Sequence, residues 1–389
     1  MNPKMFNPDL KVELKGTDSK KWNNYPHDVI PMWIADTDFK CAQPIVDAMV
    51  KRAELGIYGY PLVTNSFNKA TSGWLKRRFG WEIEDSWVEF APAVVAGIVN
   101  AIQAVSNPGD QVVVMSPIYH PFQSIINNCG RNKVQSPLKN IDNQWEVDYE
   151  NLEKCLSDSK TRALLLCNPH NPLGKVYTLA ELTKIGNLCV KYDVVVVADE
   201  IHSDLVYKGS KHICFPSINE EFKNISMSFY NPSKTFNIPG MRTAAAVIPN
   251  KVLRDLFHNT LIANRANGAT TFGMLAYETA YNECEDYVDD LVDYIAENFG
   301  ILEKFFSEKY PQVKVTKSKA TYLIWIDFTA LNMSQAELMK FLMEKAKVGL
   351  NDGAAFGSDG VGFARMNIAC HRDTLTKALK QIGQALDSL

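Results

Sequence analysis

Between Trp87 and Ile248 the chain alternates short apolar runs with helical stretches, and this alternation limits the possible folds more than any other feature. The runs are Val88–Phe90, Gln111–Ser116, Arg162–Cys167, Tyr192–Ala198, Ile225–Phe229 and Thr243–Ile248. Several, such as Val112-Val113-Val114, are apolar at consecutive positions, as strands are when helices cover both faces of a sheet. The pattern predicts an α/β fold on a doubly wound parallel sheet. Open sheets of this kind bind ligands at the carboxyl ends of their strands, so the residues after each run hold the interest.

A chain of 389 residues is long for a single core, and two domains are expected. Helices are predicted at Pro44–Leu55, Ser66–Phe79 and Ile98–Val105, and a long one at Leu291–Phe306. Beyond the last, a strand at Tyr322–Asp327 opens a smaller α+β unit. The chain is 46% apolar and 22% charged, with 41 basic against 44 acidic residues, a net charge of −3. Nothing in that balance points to nucleic acid. No apolar run has the length to span a bilayer, and the first thirty residues lack a signal-peptide core. The eight cysteines show neither a C-x-x-C pair nor metal-type spacing, so no disulfide framework, no metal and a reducing cytoplasm are expected.

Five places then carry chemistry. Lys234 sits in a polar turn after the Ile225–Phe229 run, with Pro232 before it, Pro239-Gly240 after it and a second cation, Arg242, eight residues on. A lysine near another cation and away from water has a lowered pKa and is a usable nucleophile and proton carrier. Taken alone, the segment reads as a surface turn with a solvated lysine. Asn168-Pro-His-Asn-Pro-Leu-Gly174 is a proline-stiffened loop that directly follows the Arg162–Cys167 strand. Asp199 lies at the mouth of the next strand, where an acid is costly without a partner. Arg365 interrupts the apolar run Gly362–Cys370 and is an expensive inward charge unless a carboxylate meets it, as a ligand or in a structural ion pair. A helix N-terminus after Val88–Phe90 offers free N–H groups to a phosphate, although the sequence there is not glycine-rich.

The order and spacing of Asn168–Gly174, Ala198-Asp-Glu-Ile-His202 and Asn231-Pro-Ser-Lys-Thr-Phe-Asn-Ile-Pro-Gly-Met-Arg242 resemble the fold-type I pyridoxal-phosphate (PLP) enzymes of the aspartate aminotransferase superfamily. Within it the chain is most similar, over nearly its whole length, to the MalY/PatB-type branch of cystathionine β-lyases (C–S lyases). The resemblance implies a large domain, 46–285, with a mostly parallel seven-stranded sheet, and a small domain formed by 1–45 and 286–389. It implies that Lys234 binds PLP and that Asp199 pairs with the pyridinium nitrogen. Asn171 would donate to the phenolic oxygen, and Tyr119 would stack on the ring. His202 would help at that oxygen or simply pack. Ala93, Val94 and Val95 would form the phosphate cup, completed by Asn231, Ser233 and Arg242. Asn231 departs from the serine common at that position. Arg365 would hold the substrate α-carboxylate, with the backbone of Ala35 and Asp36 nearby. Tyr60 would reach across a homodimer interface to the partner's cofactor phosphate.

The activity so implied is PLP-dependent C–S β-lysis of cystathionine or another cysteine thioether to thiol, pyruvate and ammonia. Transamination of an L-amino acid uses the same Lys234, Asp199 and Arg365 and is the alternative. A regulatory protein that retains the fold is a third reading, and the chemistry-bearing residues argue against an inert one.

Overall fold

The computed structural model describes residues 5–389. Seven strands form the main sheet: β1 (Val88–Ala91), β2 (Gln111–Val114), β3 (Asn132–Gln135), β4 (Thr161–Cys167), β5 (Val195–Asp199), β6 (Ser226–Tyr230) and β7 (Ala244–Val247). Their order across the sheet is β1-β7-β6-β5-β4-β2-β3. The neighbours from β6 to β3 are all parallel, and β7 alone runs antiparallel to both its neighbours.

Alternation along β4 shows why the strands are apolar throughout. Ala163, Leu165 and Cys167 join one core, while Leu164 and Leu166 join the core on the opposite face. Helix α1 (Val94–Val105) packs on the first of these faces, and α2 (Leu179–Lys191) covers the other. Gly97 lets α1 lie close to β6, because a Cβ there would come within 2.5 Å of the Phe229 ring. Helix α1 begins at Val94, a turn earlier than the sequence suggested, so its N-terminus directly follows β1.

A second, antiparallel sheet has the order β8-β9-β11-β10, from β8 (Lys314–Val315), β9 (Leu323–Asp327), β10 (Asn351–Asp352) and β11 (Phe363–Asn367). The 25-residue helix α3 (Glu285–Lys309) precedes it and is longer at both ends than the predicted Leu291–Phe306. The N-terminal segment is tied to this part of the molecule. Ile30–Pro31 pairs in parallel with Val348–Gly349, Asn367 N donates to Met32 O, and Asp38 N donates to Ala369 O. Residues 32–38 are thereby drawn along the end of β11, toward the carboxyl ends of the large sheet. Among the described residues no helix is long and apolar enough to cross a membrane.

Candidate active site

A cavity of about 190 Å³ opens at the carboxyl ends of the main sheet. It is lined from the loops after β1, β4, β5 and β6, as the doubly wound topology requires. Arg242 reaches it for a different reason. Strand β7 is antiparallel, so its start, not its end, lies at this edge, and Arg242 stands just before it.

Asp199, the last residue of β5, is buried in the floor. Register fixes it beside Cys167 of β4, and Asn168 N donates to its carbonyl at 3.0 Å. Its carboxyl accepts the Ile201 N–H at 3.1 Å, and no cation forms an ion pair with it among the described residues. Burial pushes the Asp199 pKa up to about 7, against the opposing effects of the Ile201 N–H and the Lys234 charge. His202, also buried, has an unpartnered Nδ1, and burial with the nearby charges of Lys234 and Arg365 lowers its pKa to about 3. The ring is therefore neutral.

Lys234 follows β6, and its amine lines the cavity, donating to Ala35 O at 2.9 Å. Desolvation lowers its pKa, Arg365 lowers it further, and Asp36 and Asp199 oppose the shift. The cation that acts on Lys234 is thus Arg365 rather than the expected Arg242. A helical turn at Pro239–Met241 intervenes, and Arg242 is an exposed side chain on the cavity wall. The Tyr322 hydroxyl is buried within 3.2 Å of Ala35 O and 3.3 Å of Lys234 O, pinning both segments.

At the other end of the cavity, α1 starts at Val94 with Ala93 as its N-cap, and no side chain caps it. Helix α2, by contrast, carries a full capping box from Thr178 and Glu181. Free N–H groups and the positive end of the α1 dipole thus face the same space as Asn231, Ser233 and Arg242. Asn231 Oδ1 accepts the Ser233 N–H at 2.8 Å, and its amide NH₂ has no protein partner among the described residues. Arg242, held at φ 50°, likewise has none among the described residues.

Arg365 on β11 is buried, and among the described residues no carboxylate meets it. Its guanidinium donates to Asn171 Oδ1 and to Trp33 O, both at 2.9 Å, and to Asn351 Oδ1, while Nε is unpartnered. Burial lowers its pKa to about 10. Asn171, a cavity-lining residue, joins the arginine to the cavity. Tyr119 is on the wall, half-buried, with its hydroxyl pKa raised by burial. Ala35 lies at the site as expected, but Asp36 does not present its backbone to the cavity. The Asp36 carbonyl is taken by Asn367 Nδ2 at 2.7 Å and by Lys21 Nζ at 3.3 Å. Tyr60 lies outside the cavity and is fully exposed.

Tyr322, Asn351 and Asn367 were not singled out from the sequence. Asn367 had a signal, because it lies two residues after Arg365 on one strand and so shares its face. It bridges the carbonyls of Ile34 and Asp36 and shapes the segment against which Lys234 rests. Behind Asp199, the buried Glu200 accepts from His212 Nε2 at 2.8 Å, Tyr230 OH at 2.7 Å and Phe215 N at 3.0 Å. Cys214 stands beside this cluster, close enough for the three side chains to share a metal ion, although the spacing suggested no metal site. The carboxylate's hydrogen bonds to protein already account for its burial.

These groups fit PLP on their own chemistry. An uncapped helix end, a free amide and a free guanidinium suit a phosphate. A buried carboxyl without a cation suits a protonated ring nitrogen, and the unpartnered His202 lies beside an amine able to bond an aldehyde carbon.

Comparison with known proteins agrees. The aminotransferase class I and II family model matches residues 22–382. The chain is 40% identical over 386 residues to cystathionine β-lyase PatB of Bacillus subtilis (strain 168), covering 98% of this chain and all of that one. It is 34% identical to a cystathionine β-lyase of Corynebacterium glutamicum, with 97% and 99% covered. The crystal structure of cystalysin from Treponema denticola, which contains a pyridoxal 5′-phosphate cofactor, superposes with a TM-score of 0.95 at 33% identity, covering 98% and 99%. Matched from end to end in sequence and in fold, the chain belongs to the aminotransferase class I and II family.

Proposed function

We propose that this chain is a PLP-dependent carbon–sulfur β-lyase that converts cystathionine or a related cysteine thioether into a thiol, pyruvate and ammonia. One observation carries the proposal. In a chain matched end to end by cystathionine β-lyases, the partly desolvated Lys234 amine stands between a buried carboxyl that lacks a cation and a buried guanidinium that lacks an anion.

When bound, PLP supplies an electron sink for the electron pair left on the substrate Cα. Lys234 holds the cofactor through its amine. Lys234 Nζ, when free of the cofactor, would be the base placed to take the Cα proton, as a depressed pKa equips it to do. Asp199 would hold a proton on the ring nitrogen, a positive partner that favours the charged form of its carboxyl. Asn171 donates to the phenolic oxygen while its Oδ1 orients Arg365. Arg365 binds the α-carboxylate and fixes the direction of the Cα–H bond. Tyr119 would hold the ring, and the start of α1 with Asn231, Ser233 and Arg242 would hold the phosphate. The Cβ–S bond breaks with its electron pair on sulfur, which leaves as thiol after taking a proton. One water then releases pyruvate and ammonia from the three-carbon remainder.

Incubation of the purified yellow protein with L-cystathionine, with and without 2-oxoglutarate, tests this. Thiol and pyruvate without any keto acid support the lyase. Glutamate formed only with the keto acid, and no thiol, would make the protein an aminotransferase.

A homodimer is part of the proposal. Leu55, Ile57, Tyr58, Tyr60 and Leu62 form an exposed apolar stretch on the single chain, which a partner would cover while Tyr60 reaches its phosphate site. Light scattering that found a fully active monomer would contradict it. The proposed domains are 46–285, and 1–45 with 286–389. All eight cysteines are free, which suits the proposed cytoplasmic location.

A further inference from the structure

Outside the cavity, beyond Arg365, the side chains of Lys20, Trp33, His120 and Phe356 have no role in the chemistry above. His120 lies between the rings of Tyr119 and Phe356, edge-on to both at 5.1 and 5.4 Å between centroids. The Arg365 guanidinium covers the same Phe356 ring at 5.0 Å. Trp33, whose carbonyl accepts from Arg365, has the Lys20 amine 6.0 Å from its ring. Lys20, Trp33, Arg365, Phe356, His120 and Tyr119 thus form a continuous chain of contacts around the place where a substrate carboxylate would dock.

The position of Lys20 is built in. The next residue, Lys21, is buried, pairs with Asp38 at 2.8 Å and donates to Asp36 O. Trp22 Nε1 donates to the same Asp38 oxygen at 3.1 Å, and Trp33 Nε1 donates to Lys21 O. Two consecutive side chains therefore lock this turn onto the segment that passes Lys234 and Arg365. Lys20 itself is exposed and forms no ion pair among the described residues. His120 Nδ1 is buried and unpartnered. Burial and the charges of Arg365 and Lys20 lower the His120 pKa to about 4, so at neutral pH it offers a hydrogen bond rather than a charge.

We propose that Lys20 and His120 form the outer half of the substrate site and select cysteine thioethers whose leaving thiol carries a carboxylate. The inference rests on the C–S lyase reading. Arg365 takes the carboxylate next to the reacting carbon, and the free cation one side chain farther out takes the distal one. His120 supplies an N–H to the same group from between its two aromatic neighbours.

The test compares S-(2-carboxyethyl)-L-cysteine with S-propyl-L-cysteine, which differ only in the distal carboxylate. The holoenzyme should favour the first in kcat/KM, and added salt should weaken that preference. Lys20→Met should lower the ratio of the two kcat/KM values about fivefold, the scale of an exposed ion pair, and Lys20→Arg should restore it. His120→Phe should lower the ratio about tenfold, as loss of a hydrogen bond to a charged group does. A parent enzyme without preference, or variants that leave the ratio unchanged, would overturn the proposal.

Binding of L-2-aminopimelate against L-2-aminoheptanoate reads the same outer site without C–S cleavage. Tighter binding of the aminopimelate, lost in Lys20→Met, would support the site even if no thiol were released, in which case only the lyase reading would fail. Equal binding of the two would overturn the site whatever the enzyme cleaves.

Discussion

Lys21 and Asp38 are buried as deeply as Asp199 and Arg365, yet the first two close an ion pair and the last two do not. Asp38 receives the Lys21 ammonium at 2.8 Å and the Trp22 indole at 3.1 Å on the same oxygen. Asp199 has one backbone N–H, and Arg365 has neutral oxygens only. Burying a charge without its counter-charge is destabilising, so the open pair marks where folding leaves work for a ligand. The closed pair, by contrast, fixes shape, since it ties residues 20–22 to the segment on which Lys234 rests. A buried charge therefore locates a binding site only when its partner is missing.

Substitutions at the open and closed charges should differ in the size of their effects. Lys234→Ala removes the amine proposed to bind the cofactor and move the proton, so thiol release should fall about a thousandfold or more, measured with excess PLP present. Asp199→Asn cannot hold the proton on the ring nitrogen, and kcat/KM should drop by about two to three orders of magnitude, the scale of breaking a buried charge pair. Lys21→Met strands the Asp38 carboxylate and should cost about 3–5 kcal/mol of stability in urea unfolding. Arg365→Met, which strands no charge, should cost less than Lys21→Met in the cofactor-free protein. The smallest effect belongs to Asn231→Ser, which should change PLP affinity no more than about threefold, because the Asn231 amide is already free to donate. A tenfold gain on that substitution would mean that the asparagine had weakened the site.

How far the sequence reveals the two sides of the site follows from how each is built. Asp199, Asn171 and Lys234 lie at or just after strand ends, where ligands meet such a sheet, and the motifs around them supplied the resemblance that gave them roles. Arg365 was legible as a charge in an apolar run, but its partners were not. Trp33 and Asn171 come to it from distant parts of the chain and Asn351 from the neighbouring strand β10, so all three bonds cross from other elements. Tyr322 holds two backbone carbonyls rather than anything a motif could show. The cation beside Lys234 was misassigned because closeness in sequence suggested Arg242, whereas closeness in space belongs to Arg365 on the second sheet. Among the elements, six of the seven strands of the main sheet lie within a few residues of the predicted runs, whereas the edge strand β3, with Val134 its one apolar residue, was not predicted, and α1 was read short because its first turn contains only small and β-branched residues.

The sign of one stability change tests the open pair most directly. In the folded, cofactor-free chain Asp199 keeps its proton up to about pH 7, whereas an unfolded aspartate loses it near about 4. Between those values the folded state binds more protons, so stability falls as pH rises and stays lowered above 7. Asp199→Asn removes that loss. The measurement is urea unfolding of the parent and of Asp199→Asn at pH 8, each without and with PLP. Without PLP the asparagine variant should be the more stable, and with PLP the order should reverse, because only the parent's carboxylate then gains its cation. If the variant is the less stable in both conditions, or if PLP leaves the order unchanged, Asp199 is not a charge held open for the cofactor.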